Sequence, residues 1–203
     1  MRRRSPLAVL ALFALIATTL AFGASLAAAA DFSIDPVHST VIFKVHHLGA
    51  ANVYGRFDEV SGSFSFDPAS PASAAFDVSV KAESVDTNAE KRDQHIAGPD
   101  FLDSKQFPVI RLKSKGVKKT GDKSYQVAGD LELRGVTKPV TIDVEYTGTS
   151  TDPRGTTRAG FEAKFTINRM DYGVSFMPDG LGKDVALIVS IEGVQKSAEA
   201  TQK

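Results

Sequence analysis

Few side chains in this 203-residue chain can do chemistry. There are four histidines, His38, His46, His47 and His95, and no cysteine. The missing cysteine excludes a thiolate nucleophile, a disulfide framework, an acylated lipoprotein anchor and zinc-knuckle or iron–sulfur ligation. His46 and His47 are adjacent in an alternating run, so they project to opposite faces of a strand and cannot share a metal ion. His38 and His46 have the same parity but would lie about 26 Å apart on a straight strand at about 3.3 Å per residue. No metal site is expected. The sequence has no G-x-S-x-G elbow, H-E-x-x-H pair or phosphate-cradling glycine loop, and no catalytic residue is assigned. Two polar groupings remain, Arg92-Asp93-His95 and Arg169 with Asp171. Each reads as an ion pair pinning a loop or as a clamp for a ligand head group beside an apolar pocket.

The elements that must position these groups follow from composition and pattern. Apolar residues make up 42% and charged residues 24%, the balance of one folded domain. Zero net charge, no Trp and only four Tyr exclude the basic, aromatic footprint of a nucleic-acid binder. Met1-Arg2-Arg3-Arg4, the uncharged run Leu7 to Phe22 and Ala27 to Ala30 have the three parts of an export signal, so residues 1–30 are expected to be a signal peptide. The apolar core is short for a membrane span of about 20 residues, and no stable membrane span is expected after cleavage. Removing the three arginines gives the mature chain a net charge of −3.

From Asp31 onward, alternation with period 2 dominates. Val41-Phe43-Val45, Phe64-Phe66, Phe76-Val78-Val80, Ile110-Leu112 and Tyr125 to Leu133 each set an apolar face against a polar one. Val140 to Tyr146, Phe161 to Ile167 and Val185 to Ile191 do the same. Turn-forming clusters such as Asp67-Pro68 and Asp152-Pro153-Arg154-Gly155 separate the runs. About eight strands with short links predict an antiparallel sandwich or barrel. One segment breaks the rhythm: Thr87-Asn88-Ala89-Glu90 has capping-box spacing and predicts a helix to about Ala97, stopped by Gly98-Pro99. The Lys196 to Lys203 end reads as a frayed tail.

An outer-membrane barrel also alternates. The polar C-terminal tail, the 8% aromatic content and the helical interruption point instead to apolar faces turned inward. An eight-stranded interior is either filled by side chains or holds one small ligand, and composition leaves both open. Apolar burial yields about 25 cal/mol per Å², while association costs about 4–15 kcal/mol. A ligand in such a hollow would therefore be long and lipid-like.

The ordered series of short motifs is specific. Ile34-Asp35-Pro36-x-His38-Ser39 leads to Phe43-x-Val45-x-His47-Leu48-Gly49 and Val53-x-Gly55-x-Phe57. Asp100-Phe101-Leu102-Asp103 and Phe107-Pro108-x-Ile110 follow. Gly129-x-Leu131-x-Leu133-Arg134-Gly135-Val136-Thr137-Lys138 and Asn168-Arg169-x-Asp171-Tyr172-Gly173-Val174 complete it. From Asp31 to about Lys196 the chain resembles the YceI-like family of bacterial polyisoprenoid-binding proteins. Leu112 stands where the family pattern has Phe, and Ser175 to Gly182 matches poorly.

The resemblance implies an all-β fold: a single antiparallel eight-stranded lipocalin-like barrel over residues 31–196, with a short helical insertion near residues 88–103 and a flexible tail at 197–203. It also implies export to the periplasm and a non-enzymatic role, sequestering or transporting a long-chain isoprenoid or related amphiphile. A polyprenyl quinone or polyprenyl phosphate is the expected type of ligand, and no cofactor is expected. The expected wall is Phe43, Val45, Phe64, Phe66, Phe76, Val78, Val80, Ile110, Leu131, Leu133, Phe161, Phe165 and Ile167. The expected head-group contacts are His47, His95, Arg169 and Asp171. Two rivals are carried forward: an enzyme of the same fold using His47 or His95 as general base, and a packed barrel that binds an envelope protein. A homodimer through an exposed strand edge stays open, since pattern alone does not identify edges.

Overall fold

The structure, a computed structural model, describes residues 29–196. Nearly all of the expected signal peptide and the whole of the expected tail, 197–203, lie outside the described residues.

The alternating runs fold as strands: β1 (Ala30–Ile34), β2 (Thr40–His47), β3 (Ala51–Phe57), β4 (Val60–Phe66), β5 (Ala75–Lys81), β6 (Val85–Asp86), β7 (Val109–Lys119), β8 (Ser124–Leu133), β9 (Val136–Thr151), β10 (Thr157–Asn168) and β11 (Leu181–Gln195). They make eight barrel staves, because the first six strands join end to end in pairs. β1 and β2 both run antiparallel along β11, with Ile34 opposite Gly193 and Thr40 opposite Ser190. β4 and β3 flank them in turn, with Phe64 opposite Phe32 and Phe57 opposite Val41. β5 pairs with β4 and β6 with β3. Every neighbouring pair is antiparallel, and the β1–β11 pairing closes the ring. The β1–β11 pairing joins the seam between the first and last strands, while β6 and the Ala51–Gly55 part of β3 keep an outer side with no strand partner among the described residues.

The sequence pattern misses β1, β3 and β6 as separate strands. β1 and β6 are only five and two residues long. In β3, Gly55 sits at the inward position where an apolar side chain would have continued the alternation. A Cβ there would come within 2.3 Å of the Phe43 ring.

The helix is shorter than its capping signature predicts. α1 spans Glu90–Ala97, and its N-cap Ala89 makes no side-chain cap bond. Thr87 is instead buried as a tie between β6 and the helix. Its backbone N–H donates to Asp93 Oδ1 at 2.8 Å, its hydroxyl donates to the same carboxylate, and Arg92 Nε donates to its Oγ1 at 2.7 Å. Gly98 ends the helix as expected, its N–H bonding His95 O at 3.0 Å.

One end of the barrel is packed solid. Phe64, Phe66 and Phe76 all meet Phe161 edge-on, at ring-centroid distances of 5.2, 4.9 and 5.0 Å. Phe32 stacks on Phe64, while Tyr125 and Tyr146 close on Phe66. The opposite end carries α1, the turn through Phe101 and Leu102, and the loop before β11.

Candidate functional site: an apolar barrel cavity

Above the aromatic plug the inward faces leave a cavity of about 360 Å³. Its wall is built by strand parity. β2 contributes Phe43 and Val45, β5 contributes Phe76, Val78 and Val80, and β7 contributes Ile110 together with Leu112. Leu131 and Leu133 come from β8, and Phe161, Phe165 and Ile167 from β10. Two residues expected on the wall are elsewhere: Phe64 and Phe66 sit below the floor, 2% and 4% exposed, within the plug. They face inward as parity requires, but Phe161 lies between them and the open space.

The pattern shows β11 as an alternating run, and Val185, Leu187, Val189 and Ile191 of that run also line the cavity. Contacts that alternation could not show come from the covering segments: Ile96, Phe101, Leu102, Val174, Phe176 and Met177. Phe101 and Phe176 approach to 5.2 Å, and His95 stands edge-on to both at 5.1 Å. This aromatic cluster spans the mouth.

Polar groups bordering the cavity are His47, Arg92, His95, Glu162 and Arg169, and no hydroxyl or thiol is among the described lining residues. His47 ends β2 at the rim. His95 Nε2 lies 2.9 Å from Asp100 Oδ2. Arg92 was legible as part of a polar group on the helix, and the fold brings it to the cavity beside His95.

Arg169 does not act as the expected head-group clamp. It is 3% exposed, and its guanidinium donates to five backbone carbonyls, those of Val174, Phe176, Met177, Leu181 and Gly182. A guanidinium has five N–H donors, so all are spent on the loop that covers the mouth and the first two residues of β11. Burial pushes its pKa below the ordinary arginine value. Asp171 is exposed and lies off the cavity wall. It belongs to the short 3-10 turn Arg169–Tyr172, which the Asn168 side chain caps by accepting from Met170 N–H.

A polar cluster unseen in the sequence lies where β1 and β2 part. The ligand atoms of Asp35, His38 and Glu192 fall within 4.8 Å of one another, the spacing of a metal site. Arg158 already occupies the two carboxylates, with Nη1 2.7 Å from Asp35 Oδ2 and bonded to Glu192. His38 Nδ1 lies 2.9 Å from the same Asp35 oxygen. Arg158, followed by His38, holds the Asp35 carboxyl well below the usual carboxylate range. The cluster is a clasp joining β10, β11 and the β1–β2 break.

Comparison with known proteins agrees with this geometry. The YceI-like domain model matches residues 32–193. The UPF0312 protein of Yersinia pestis (strain Pestoides F) is 43% identical over 178 residues, covering 87% of this chain and 92% of the relative. Protein YceI of Escherichia coli O17:K52:H18 is 41% identical over 187 residues, covering 91% and 97%. Among solved structures, Burkholderia cenocepacia BcnA superposes with a TM-score of 0.72 at 21% identity, covering 78% of this chain and 98% of that one. A Saccharophagus degradans domain described as polyisoprenoid-binding and implicated in plant cell wall breakdown gives 0.65 at 14% identity, covering 81% and 98%. At these identities the two structures show the shared fold.

Proposed function

This chain belongs to the YceI-like family, and we propose that its barrel binds the tail of a long-chain isoprenoid or related amphiphile and sequesters or carries it in the periplasm. One observation carries the reading: the cavity is lined almost wholly by Phe, Val, Leu and Ile, and of its five polar groups all but Glu162 stand near the mouth. Such a space discriminates by length and apolarity, and each Å² of tail it takes from water contributes about 25 cal/mol. A polyprenyl quinone or polyprenyl phosphate has the required form, an apolar tail with one polar end. His47, His95 and Arg92 at the open end are the groups placed to meet that end.

We read the role as binding, which the almost wholly apolar lining supports. Both His47 and His95 border the cavity, which is what a general-base mechanism would need, and His95 has an Asp100 partner. The lining supplies no hydroxyl or thiol nucleophile, so a base there would have only water or the ligand itself to act on.

Native mass spectrometry of the protein purified from its exported form, followed by organic extraction, tests the function. The expected result is a mass increment removed by solvent and recovered as a long-chain lipid. A clean apo mass across several expression hosts would refute it.

A further inference from the structure

The barrel wall is not paired over its whole height. β10 pairs with β9 from Thr157 opposite Thr151 up to Ala163 opposite Val144, and the ladder stops there. Both strands continue toward the mouth, β10 through Lys164–Asn168 bonded to β11 and β9 through Val136–Asp143 bonded to β8. Above Ala163, then, each keeps its outer partner while the two lose one another.

A bulge lies just below the end of the ladder. Phe161 pairs with Tyr146 and Gly160 with Gly148, so Thr147 is an extra residue in β9. Such a bulge bends its strand and increases the local twist. Gly160 makes room for it, since a Cβ there would fall 2.5 Å from Thr147 Oγ1. Pro139, which has no N–H to offer, lies in the part of β9 that has no β10 partner, where a strand proline is tolerated.

The cavity extends to this gap. Ile142 of β9 and Phe165 and Ile167 of β10, on the two edges of the gap, line the cavity, and Glu162, which faces outward by alternation, borders it one residue below the last paired rung. The mouth proper, by contrast, is spanned by the His95–Phe101–Phe176 cluster. The top of the gap is crossed by Arg134, in the β8–β9 turn, which donates to Gly173 O after β10 and to Pro99 O at 2.6 Å.

We propose that the split between β9 and β10 is a lateral portal through which the apolar tail enters and leaves, with Arg134 as the latch at its upper edge. This rests on the binding function above. A sideways route keeps a long tail in contact with the apolar edge residues Val140, Ile142, Phe165 and Ile167 while it leaves a bilayer, so less of it crosses water at any moment.

The absence of native cysteine makes the test direct. Continuing the register would place Thr141 opposite Thr166, both exposed. Thr141→Cys with Thr166→Cys is bridged by oxidation, or by a short bifunctional thiol reagent if the gap exceeds the Cα separation of about 4.4–6.8 Å that a disulfide spans. Gln126→Cys with Asp143→Cys, on the paired β8–β9 wall, is the control. Decaprenol in phosphatidylcholine vesicles is the probe, and native mass follows loading with time.

Bridging the portal is expected to slow loading by about ten-fold or more relative to the same variant reduced, without changing the final extent. Bridging the control pair is expected to leave the rate within about two-fold. Arg134→Ala is expected to load faster than wild type. Equal rates with the portal bridged and reduced would overturn the portal while leaving the binding function standing. No loading by any form, wild type included, would refute the binding function and the portal with it. Amide exchange gives a second reading that needs no substitution: in Lys164–Asn168, the amides directed away from β11 should exchange fast. Protection there equal to that of Thr157–Ala163 would also overturn the proposal.

Discussion

Phe161 meets Phe66 edge-on, ring centroids 4.9 Å apart and planes at 87°, and this contact sets the depth of the cavity. Phe161 presents one side to the hollow, while Phe66 lies beneath it among Tyr125 and Tyr146. The floor is therefore an aromatic platform, held by edge-to-face pairs worth about 0.5–1.5 kcal/mol each beyond their burial.

Removing the platform separates stability from capacity. Phe66→Ala, below the floor, is expected to cost about 3–5 kcal/mol of unfolding free energy in a denaturant titration. It should leave the length of the longest retained tail unchanged. Phe161→Ala should carry a similar cost and also deepen the hollow, so extraction should recover longer tails. If both variants retained tails of the wild-type length, Phe161 would not be the floor.

Filling the hollow should abolish binding without unfolding the barrel. Val189→Phe projects a ring into space that is empty of protein atoms. The usual overpacking penalty of about 1–3 kcal/mol should therefore be largely absent. The expected outcome is a thermal midpoint no lower than wild type, together with loss of the lipid mass increment. Undiminished lipid binding would place the ligand elsewhere.

Arg169 is expected to behave as a structural group. Arg169→Met leaves five carbonyls to find other donors, and buried unsatisfied groups of this kind should cost about 3 kcal/mol in total after partial rehydration. Amide exchange should speed up across Val174 to Gly182. Arg169→Lys should rescue poorly, because an ammonium has three donors and lacks the planar fork. Full rescue by Lys would show that charge, rather than carbonyl bonding, is what matters.

Acid should loosen the β1–β11 seam through Asp35. Its folded pKa is depressed, so its contribution is fully present above the unfolded value near 3.8 and is lost as pH falls through the folded value. Asp35→Asn is expected to be less stable than wild type by about 1–3 kcal/mol at pH 7. The difference should shrink as the pH is lowered from about 4 toward 2. A difference constant with pH would mean that the clasp contributes packing only.

The sequence by itself determined which side of each strand looks inward. That is a local property: successive side chains alternate across a pleat, so Phe43, Val78, Leu131 and Phe165 had to share the interior once a barrel formed. The order of short motifs determined the family, and the run of alternating segments with one helical interruption determined the fold class. Depth along the axis and the company each polar group keeps were decided only by the tertiary structure. Phe64 and Phe76 are alike in the sequence and stand opposite one another in register, yet only Phe76 reaches the cavity, because Phe32 and Phe161 pack over Phe64 once the barrel closes. Arg169 looks like a ligand clamp until the chain from Val174 to Gly182 folds back and surrounds it with carbonyls. The Asp35–Arg158–Glu192 clasp joins Asp35 to an arginine 123 positions away and that arginine to a glutamate 34 further on, and no spacing rule reaches that far. The bulge at Thr147 below the parting of β9 from β10 is likewise accommodated by a glycine on the neighbouring strand, a relation that exists only once the two strands have met.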